Sequence, residues 1–407
     1  MQLTLSHSTI HSAHQLNITG SKSESNRLLL LQALFPDITI ENLSNSDDTR
    51  VMQKALSSTV QEVDVHHAGT AMRFLTAYFA TRPESSVILT GSHRMKERPI
   101  KILVDALQNL GADITYKEKK GYPPLRINGK KLTKASVSLD ANVSSQYISA
   151  LLLVAPSLSN GLELKLNGKI TSLPYIEMTL SLLKQLNIKV KFQENTITVE
   201  PHNNQSVSEN FIVESDWSSA SYYYSFMALS PLGTEINLTA YKKNSLQGDS
   251  VLQDVYEKFG VSTVFKNNSI LIKKESVTQH RIIELDLINS PDIAQTIAIT
   301  AFGLGIECLL TGLHTLKIKE TDRLLALKTE LEKFGATVEI TEDSLHLKSS
   351  SLINRDIAVD TYNDHRMAMA FAPLCLKTSL MINDADVVNK SYPGFWDDLA
   401  SIGITIK

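Results

Sequence analysis

PDIAQTIAITAFG, Pro291 to Gly303, decides how this chain folds. A polar opening runs straight into a segment of helix length that is apolar nearly all round, and such a helix must be buried on every side. Its first turn leaves unpaired N–H groups and carries the positive end of the helix dipole, so it is a place where an anion is welcome. The pattern occurs five more times: SESNRLLLLQALF from Ser23, AGTAMRFLTAYFA from Ala68, SSQYISALLLVAP from Ser144, SSASYYYSFMALS from Ser218 and DHRMAMAFAPLCL from Asp364. From Ala68 to Asp364 the starts lie 76, 74, 73 and 73 residues apart, which is the mark of an internal repeat.

A second element keeps step with the first. DALQNLGADITY, SLLKQLNIKVKF, DVYEKFGVSTVF, TELEKFGATVEI and the terminal DLASIGITIK each place apolar residues at helical spacing, then a Gly or Asn where a C-cap belongs, then strand-like residues. The repeating unit is therefore a buried helix, a surface helix and strands. The first copy, VMQKALSSTVQEVDV, lacks the cap, and its buried helix starts only 45 residues before the second, so it counts as degenerate. At 407 residues the chain exceeds what one core supports, so two domains of three units each are expected. The polar stretch Pro201–Asn210, followed by FIVESDW, is the expected boundary. The strand-like residues before Gly20 have no unit of their own and can pair with either half.

Composition narrows the function. A formal net charge of −3 and a pI near 6.4 exclude a general nucleic-acid or membrane-surface binder, so any positive site must be local. The opening MQLTLSHSTIHSAHQ does not read as a secretory signal, and the apolar runs are too short or too interrupted, as by Glu307, to span a membrane. A soluble cytoplasmic protein is expected. Cys308 and Cys375 lie far apart in apolar surroundings and read as inert buried thiols, not metal or redox ligands.

The polar clusters sit at the starts of the elements. GSKSESNR puts Lys22 and Ser23 at a helix start with Arg27 one turn on, a geometry for phosphate or carboxylate that a plain capping turn explains equally well. HHAGTAMRF brings Gly69 to a helix start, where backbone N–H groups can approach an anion. RMKERPI carries Arg94, Lys96 and Arg98, and a charge run of this kind is more often a solvated face. Ser144, Ser145 and Gln146 offer hydroxyls and an amide, with N-capping as the bland alternative. SLPY, Ser172 to Tyr175, can be an ordinary turn. Asp292 can simply cap its helix. In KETDR, Lys319 and Arg323 at i, i+4 share one helical face with Glu320 beside them, which would hold a carboxylate among cations. His365 and Arg366 open a buried helix where an unpaired charge is costly, and Lys390 follows a strand. Jointly, the repeat puts these groups at equivalent ends of equivalent elements, so Lys22, Arg27, Arg98, Lys319, Arg323, Arg366 and Lys390 can converge on one anionic ligand set in a cleft between two halves.

GSKSESNR, AGTAMR, RMKERPI, SSQY, SLPY, QGD at Gln247, PDIAQT, KETDR, DHRMAM and KSYPGFW, in this order over nearly the whole chain, closely resemble the 5-enolpyruvylshikimate-3-phosphate synthase family of enolpyruvyl transferases. The resemblance implies a two-domain α/β fold, an inside-out α/β barrel of six βαβαββ-type repeats. It implies one lobe over residues 20–213, the other over 1–19 with 214–407, and the active site in the cleft between them. The implied reaction moves the enolpyruvyl group of phosphoenolpyruvate onto the 5-hydroxyl of shikimate 3-phosphate, releasing phosphate through a tetrahedral intermediate in aromatic amino-acid biosynthesis. No metal or organic cofactor is required, and the expected partners are these two small molecules, with no nucleic acid, no membrane and a monomeric chain.

By the same resemblance Asp292 is the base acting on the hydroxyl, Glu320 the second proton-transfer carboxylate and Lys22 an acid at the leaving phosphate. The shikimate-phosphate side resembles Lys22, Ser23, Arg27, Ser144, Ser145, Gln146, Ser172, Tyr175, Asp292 and Lys319. The phosphoenolpyruvate side resembles Lys22, Gly69, Arg98, Gln146, Arg323, Arg366 and Lys390, with His365 adjacent. The chain departs from the pattern at His67, where many members have Asn, at Phe74, where many have Pro, and at Thr315, where spacing from Asp292 would put an Asn. These departures bear on sensitivity to inhibitors, glyphosate included, rather than on the reaction. The rivals are the sister transferase acting on UDP-N-acetylglucosamine, which characteristically uses a loop cysteine that the comparable RMKERPI loop lacks, and a non-catalytic anion-binding module on the same scaffold.

Overall fold

The structure is a computed structural model and describes residues 1–11, 14–58, 60–141, 144–202 and 208–407, with the side chain of His14 left aside. Half of the expected boundary stretch Pro201–Asn210 therefore lies outside the described residues. The chain forms two compact units, Ser21–Val213 and Met1–Gly20 with Glu214–Lys407. Gly20, expected at the head of the first lobe, falls instead with the other unit because its backbone bridges Ser215.

Strand pairing shows the repeat directly. In Ser21–Val213, Glu62–Asp64 runs parallel to Ser86–Thr90 across the Gly69–Ala80 helix, Leu125–Asn128 pairs antiparallel with Ser86–Thr90, and Asp113–Tyr116 folds back onto it. Ser136–Asp140, Leu162–Asn167, Thr196–Val199 and Val190–Gln193 form a second sheet of the same order. The other unit builds a third from Ile282–Asp286, Glu307–Thr311, Leu345–Leu347 and Val338–Ile340. A fourth uses Glu235–Thr239, Ser269–Lys274 and Val261–Lys266, but its first strand is His14–Leu16, supplied from the N-terminus. The degenerate first copy has a two-stranded sheet, Thr39–Glu41 with Asn210–Ile212, and the last repeat borrows Leu3–Leu5 to stand beside Leu380–Ile382. The orphan N-terminal strands thus both belong to the unit of residues 214–407, where they occupy places that the repeat leaves open.

Local chemistry explains the elements. The surface helices end at Gly111, Asn187, Gly260, Gly335 and Gly403, whose φ values of 108°, 58°, 77°, 95° and 104° lie in the left-handed region that terminates a helix and turns the chain into the following strand. Strands such as Leu162–Asn167 bury alternate residues and so present one apolar face. Those faces cover the apolar helices. Gly69–Ala80 is buried along its whole length, and Trp217–Leu229 along all but Ser218. Where Trp217–Leu229 meets Ala294–Leu304, Ser221 meets Thr296 at 3.1 Å and Thr300 donates to Ser225 at 2.8 Å, so small side chains let the helices close and satisfy one another's hydroxyls. No helix among the described residues is long and apolar enough to cross a membrane.

Because Leu3–Leu5 and His14–Leu16 complete two sheets of the second unit, a fragment of residues 214–407 is expected to lose its cooperative thermal transition. A permutant that starts at Glu214, joins Lys407 to Met1 and ends at Gly20 is expected to keep it, as read by near-ultraviolet circular dichroism during melting.

Candidate active site

In Ser21–Val213 the polar groups gather around the starts of three buried helices. Ser21 caps the Lys22–Leu34 helix by accepting from Glu24 N, which leaves Lys22 as its first residue and turns Arg27 inward. The Arg27 guanidinium donates to Thr179 Oγ1 at 2.8 Å, Ser149 Oγ at 2.9 Å, the Ser23 carbonyl at 2.8 Å and the Tyr175 carbonyl at 3.2 Å. Its Cζ lies 5.4 Å from the Phe74 ring centre and 5.8 Å from that of Tyr175. Burial pulls its pKa down to about 10, against the pull of Tyr175 and Glu24, so it stays cationic at neutral pH. Lys22 Nζ stands 3.4 Å from Asp48 Oδ2.

Arg98 lies directly over Gly69. A Cβ there would come within 2.7 Å of its guanidinium, so only glycine permits this approach. Arg98 is buried, and its Nε has no hydrogen-bond partner among the described residues. Arg94 and Lys96 form exposed ion pairs with Glu97 and Glu118, which leaves Arg98 as the inward-facing member of RMKERPI. Ser144 caps the Ser145–Val154 helix by accepting from Gln146 N, and Gln146 Nε2 donates to Thr70 Oγ1 at 3.2 Å. Ser145 is buried, and Ser172 holds a left-handed backbone, φ 54°, ahead of the Leu173–Gln185 helix.

The other unit centres on Arg323. This guanidinium, 2% exposed, donates to Asp364 Oδ2 at 2.7 Å, Asp292 Oδ1 at 2.6 Å and Glu320 Oε2 at 2.8 Å. Burial lowers its proton affinity, but Asp364, Glu320 and Asp292 outweigh that and raise it above the ordinary value. Lys319 and Arg323 do not share a helical face as expected. Asp322 accepts from Leu324 N and Leu325 N and so starts the helix at Arg323, leaving Lys319 and Glu320 on the preceding turn. The carboxylate nevertheless meets its cation, because the turn folds Glu320 back.

Asp292 is not the cap of its helix: Ser290 and Ile293 hold the cap positions of Pro291–Ile293 and Ala294–Leu304, and neither helix start has a side-chain cap. Asp292 faces cations: Lys319 Nζ at 3.4 Å, Arg323 Nη1 at 2.6 Å and Arg366 Nη2 at 3.6 Å. Burial alone would raise its pKa, but Lys319, Arg366 and Arg323 hold it well below the usual carboxylate range. Burial also lowers Lys319, only partly offset by Asp292. Asp364 caps the His365–Phe371 helix by accepting from Arg366 N, and Arg366 Nη1 donates to the Asp292 carbonyl at 3.0 Å. His365 Nδ1 is 3.8 Å from Asp364 Oδ1. Lys390 donates to the carbonyl of Asn363, one of two consecutive residues with positive φ, Tyr362 and Asn363. Thr315 is buried, and its hydroxyl has no hydrogen-bond partner among the described residues.

The predicted residues therefore fall into two clusters, Lys22, Ser23, Arg27, Gly69, Arg98, Ser144, Ser145, Gln146, Ser172 and Tyr175 in one unit and Asp292, Lys319, Glu320, Arg323, Arg366 and Lys390 in the other. Sequence reasoning missed Asp48, Ser149, Thr179 and Asp364. Asp364 could have been suspected as the acidic cap preceding His-Arg, whereas Asp48 carries no signal beyond being an acidic residue in the first turn of the Asp47–Ser57 helix.

Comparison with known proteins bears on this arrangement. Residues 57–399 match the family described as EPSP synthase (3-phosphoshikimate 1-carboxyvinyltransferase). A 3-phosphoshikimate 1-carboxyvinyltransferase of Bacteroides fragilis is 45% identical over 397 residues, covering 96% of each chain, and one of Haemophilus influenzae is 38% identical over 419 residues, covering 95% of this chain and 96% of that one. Among solved structures, the EPSP synthase of Acinetobacter baumannii superposes with a TM-score of 0.81 at 20% identity, covering 100% of this chain and 99% of that one. The enolpyruvyl transferase NikO of Streptomyces tendae does so with 0.75 at 12%, covering 100% and 98%. These two likenesses speak to the fold.

Replacing Arg323 by Met would leave three carboxylates without their shared cation, and removal of one partner from a buried ion-pair set typically costs about 3–5 kcal/mol. That loss is expected in urea unfolding at neutral pH. The depressed pKa of Asp292 gives the sign of the acid effect. Its ion pairing stabilises the fold fully above about pH 4, the unfolded carboxylate value, and disappears only as the pH falls toward its much lower folded value.

Proposed function

This chain belongs to the EPSP synthase family, and we infer that it transfers the enolpyruvyl group of phosphoenolpyruvate to the 5-hydroxyl of shikimate 3-phosphate, releasing phosphate. The geometric observation that carries the reading is the meeting of Asp292 and Glu320 on the single guanidinium of Arg323. The reaction needs one proton removed from the acceptor hydroxyl, one delivered to the vinyl carbon and, as phosphate leaves the tetrahedral adduct, one taken back from the methyl group so formed, beside two phosphorylated anions. Two carboxylates for proton transfer, set among Lys319, Arg323 and Arg366, provide for these steps.

Asp292 is the proposed base, Glu320 the second proton-transfer group and Lys22 the acid at the leaving phosphate. Before substrates arrive Asp292 is a weak base, because three cations stabilise its charged form. Anionic substrates give Lys319, Arg323 and Arg366 other partners, so binding itself raises the proton affinity of Asp292 toward what the step requires. Shikimate 3-phosphate is assigned to Lys22, Ser23, Arg27, Ser144, Ser145, Gln146, Ser172, Tyr175, Asp292 and Lys319. Phosphoenolpyruvate is assigned to Lys22, Gly69, Arg98, Gln146, Arg323, Arg366 and Lys390. The reaction draws on residues of both units and requires both to reach one pair of substrates.

The rival acceptor, UDP-N-acetylglucosamine, is disfavoured by the cysteines. Both are buried, and burial pushes Cys308 up to about 12 and Cys375 higher still, so neither is a reactive thiol. Unpaired buried thiols also support the cytoplasm as the place of action, where the chain is proposed to work as a monomer on free small molecules.

Phosphate release from phosphoenolpyruvate is expected with shikimate 3-phosphate and not with UDP-N-acetylglucosamine. Release with the sugar nucleotide alone would select the rival, and none with either would leave a binding module. Asp292→Asn and Glu320→Gln are each expected to lower kcat by about 10²–10⁴ while both KM values change only a few-fold, because their work lies in proton transfer.

A further inference from the structure

The triplet Gln247-Gly248-Asp249 belongs to the ordered motifs but has no part in the reaction as read so far. Gln247 serves the backbone. Its Oε1 accepts from Trp217 N at 3.0 Å, and its Nε2 donates to the Ser215 carbonyl at 2.8 Å and to Glu214 Oε2 at 3.3 Å, which pins the start of the Trp217–Leu229 helix. Asp249 is different. It is 2% exposed, its Oδ2 accepts from the Ser218 hydroxyl, and its Oδ1 has no hydrogen-bond partner among the described residues. Ser218 is the one residue of its helix that is not buried, and its Oγ accepts from Arg366 Nη2 at 3.1 Å.

A serine hydroxyl has one hydrogen and two lone pairs, and left alone it rotates to suit its surroundings. Here Asp249 takes the hydrogen, so the lone pairs face the guanidinium. Arg366 is thereby held on both sides, by Ser218 on one nitrogen and by the Asp292 carbonyl on the other. A buried carboxylate with one oxygen unbonded is costly, and stability does not account for it. We propose that Asp249 is a positioning residue for the transfer reaction: through the Ser218 hydroxyl it fixes the Arg366 guanidinium in the orientation that receives phosphoenolpyruvate. The proposal rests on the assignment of Arg366 to that substrate.

The groups facing Asp249 give the arrangement a pH dependence. Burial raises its pKa most, Arg366 lowers it, Asp292 raises it, the Ser218 bond lowers it and Asp216 raises it, leaving it at about 6. Below that value the carboxyl can still accept the serine hydrogen through its carbonyl oxygen, but the charge that fixes this hydrogen is gone and its new O–H competes with Arg366 for the lone pairs of Ser218. Affinity for phosphoenolpyruvate should therefore fall as the pH drops through about 6, in addition to whatever the substrate phosphates, which titrate in the same range, contribute.

Steady-state kinetics of the full chain with Ser218→Ala, Asp249→Ala, Asp249→Asn and Arg366→Ala test this. Ser218→Ala and Asp249→Ala are expected to raise KM for phosphoenolpyruvate about tenfold, the worth of one hydrogen bond to a charged group, with KM for shikimate 3-phosphate and kcat nearly unchanged. Asp249→Asn keeps an acceptor without the charge and should restore part of the affinity at neutral pH. The ratio of its KM to the wild-type value should then fall toward one as the pH drops below about 6, because only the wild type loses a charge there. Equal rises in both KM values, or identical pH profiles for wild type and Asp249→Asn, would overturn the proposal. So would unchanged KM values in Ser218→Ala while Arg366→Ala raises that for phosphoenolpyruvate. An unchanged value in Arg366→Ala would remove the assignment on which the proposal stands. Should Asp249→Ala fail to fold, Ser218→Ala and the Asp249→Asn pH profile decide alone.

Discussion

A buried guanidinium shared by three carboxylates is the interaction on which the polar cluster of residues 214–407 depends. Arg323 holds Asp292, Glu320 and Asp364 within hydrogen-bond distance, and each comes from a different stretch of chain. Without that cation, mutual repulsion and burial would drive protons onto the carboxylates or push them apart. With it, all three stay charged, and the third caps the helix that carries Arg366. The cations around Asp292 hold its proton affinity low; in the proposed reaction, where Asp292 is the base, substrates that compete for those cations would link binding to base strength.

In Ser21–Val213 the corresponding cation is Arg27, and its environment is the reverse. Hydroxyls, carbonyls and two aromatic faces surround it, so it is oriented without being neutralised. Arg98 is oriented by a different device, the missing side chain of Gly69, which lets the guanidinium lie against the start of a helix. Arg27 and Arg98 are thus oriented by neutral groups and by a missing side chain, Lys22 is paired with Asp48, and the other unit holds carboxylates whose charge is balanced by cations. For the proposed reaction that division suits a site in which anions must be held while protons move.

In the unit of residues 214–407, groups that cap helices also orient the side chains of the candidate site. Asp364 caps a helix while bonding Arg323, and Gln247 accepts from the first N–H of another, which Asp216 caps, while the next residue but one, Asp249, accepts from Ser218. Polar groups of this kind cost free energy when buried, and they persist where they orient a reacting or binding side chain. The Ser221–Thr296 and Ser225–Thr300 pairs show the plainer use, closing two helices with each hydroxyl satisfied.

Much of this was legible in the chain as written. The apolar helices, the glycine or asparagine that ends each surface helix and the strand that follows are local, and period, capping and turn chemistry announce them. Long-range pairing is not announced. The partner sheets of Leu3–Leu5 and His14–Leu16, the salt bridge of Lys22 with Asp48 and the grip of Ser149 and Thr179 on Arg27 join residues that no local rule connects. KETDR shows the limit most clearly: its residue types revealed a carboxylate among cations, yet its supposed helical face was a capped turn, because a single Asp322 side chain satisfied the first N–H groups. Sequence by itself determined which elements form and which charges must be sheltered. Tertiary structure alone decided which charges meet, since Coulomb energy and hydrogen bonding depend on separation in space and take no account of separation along the chain.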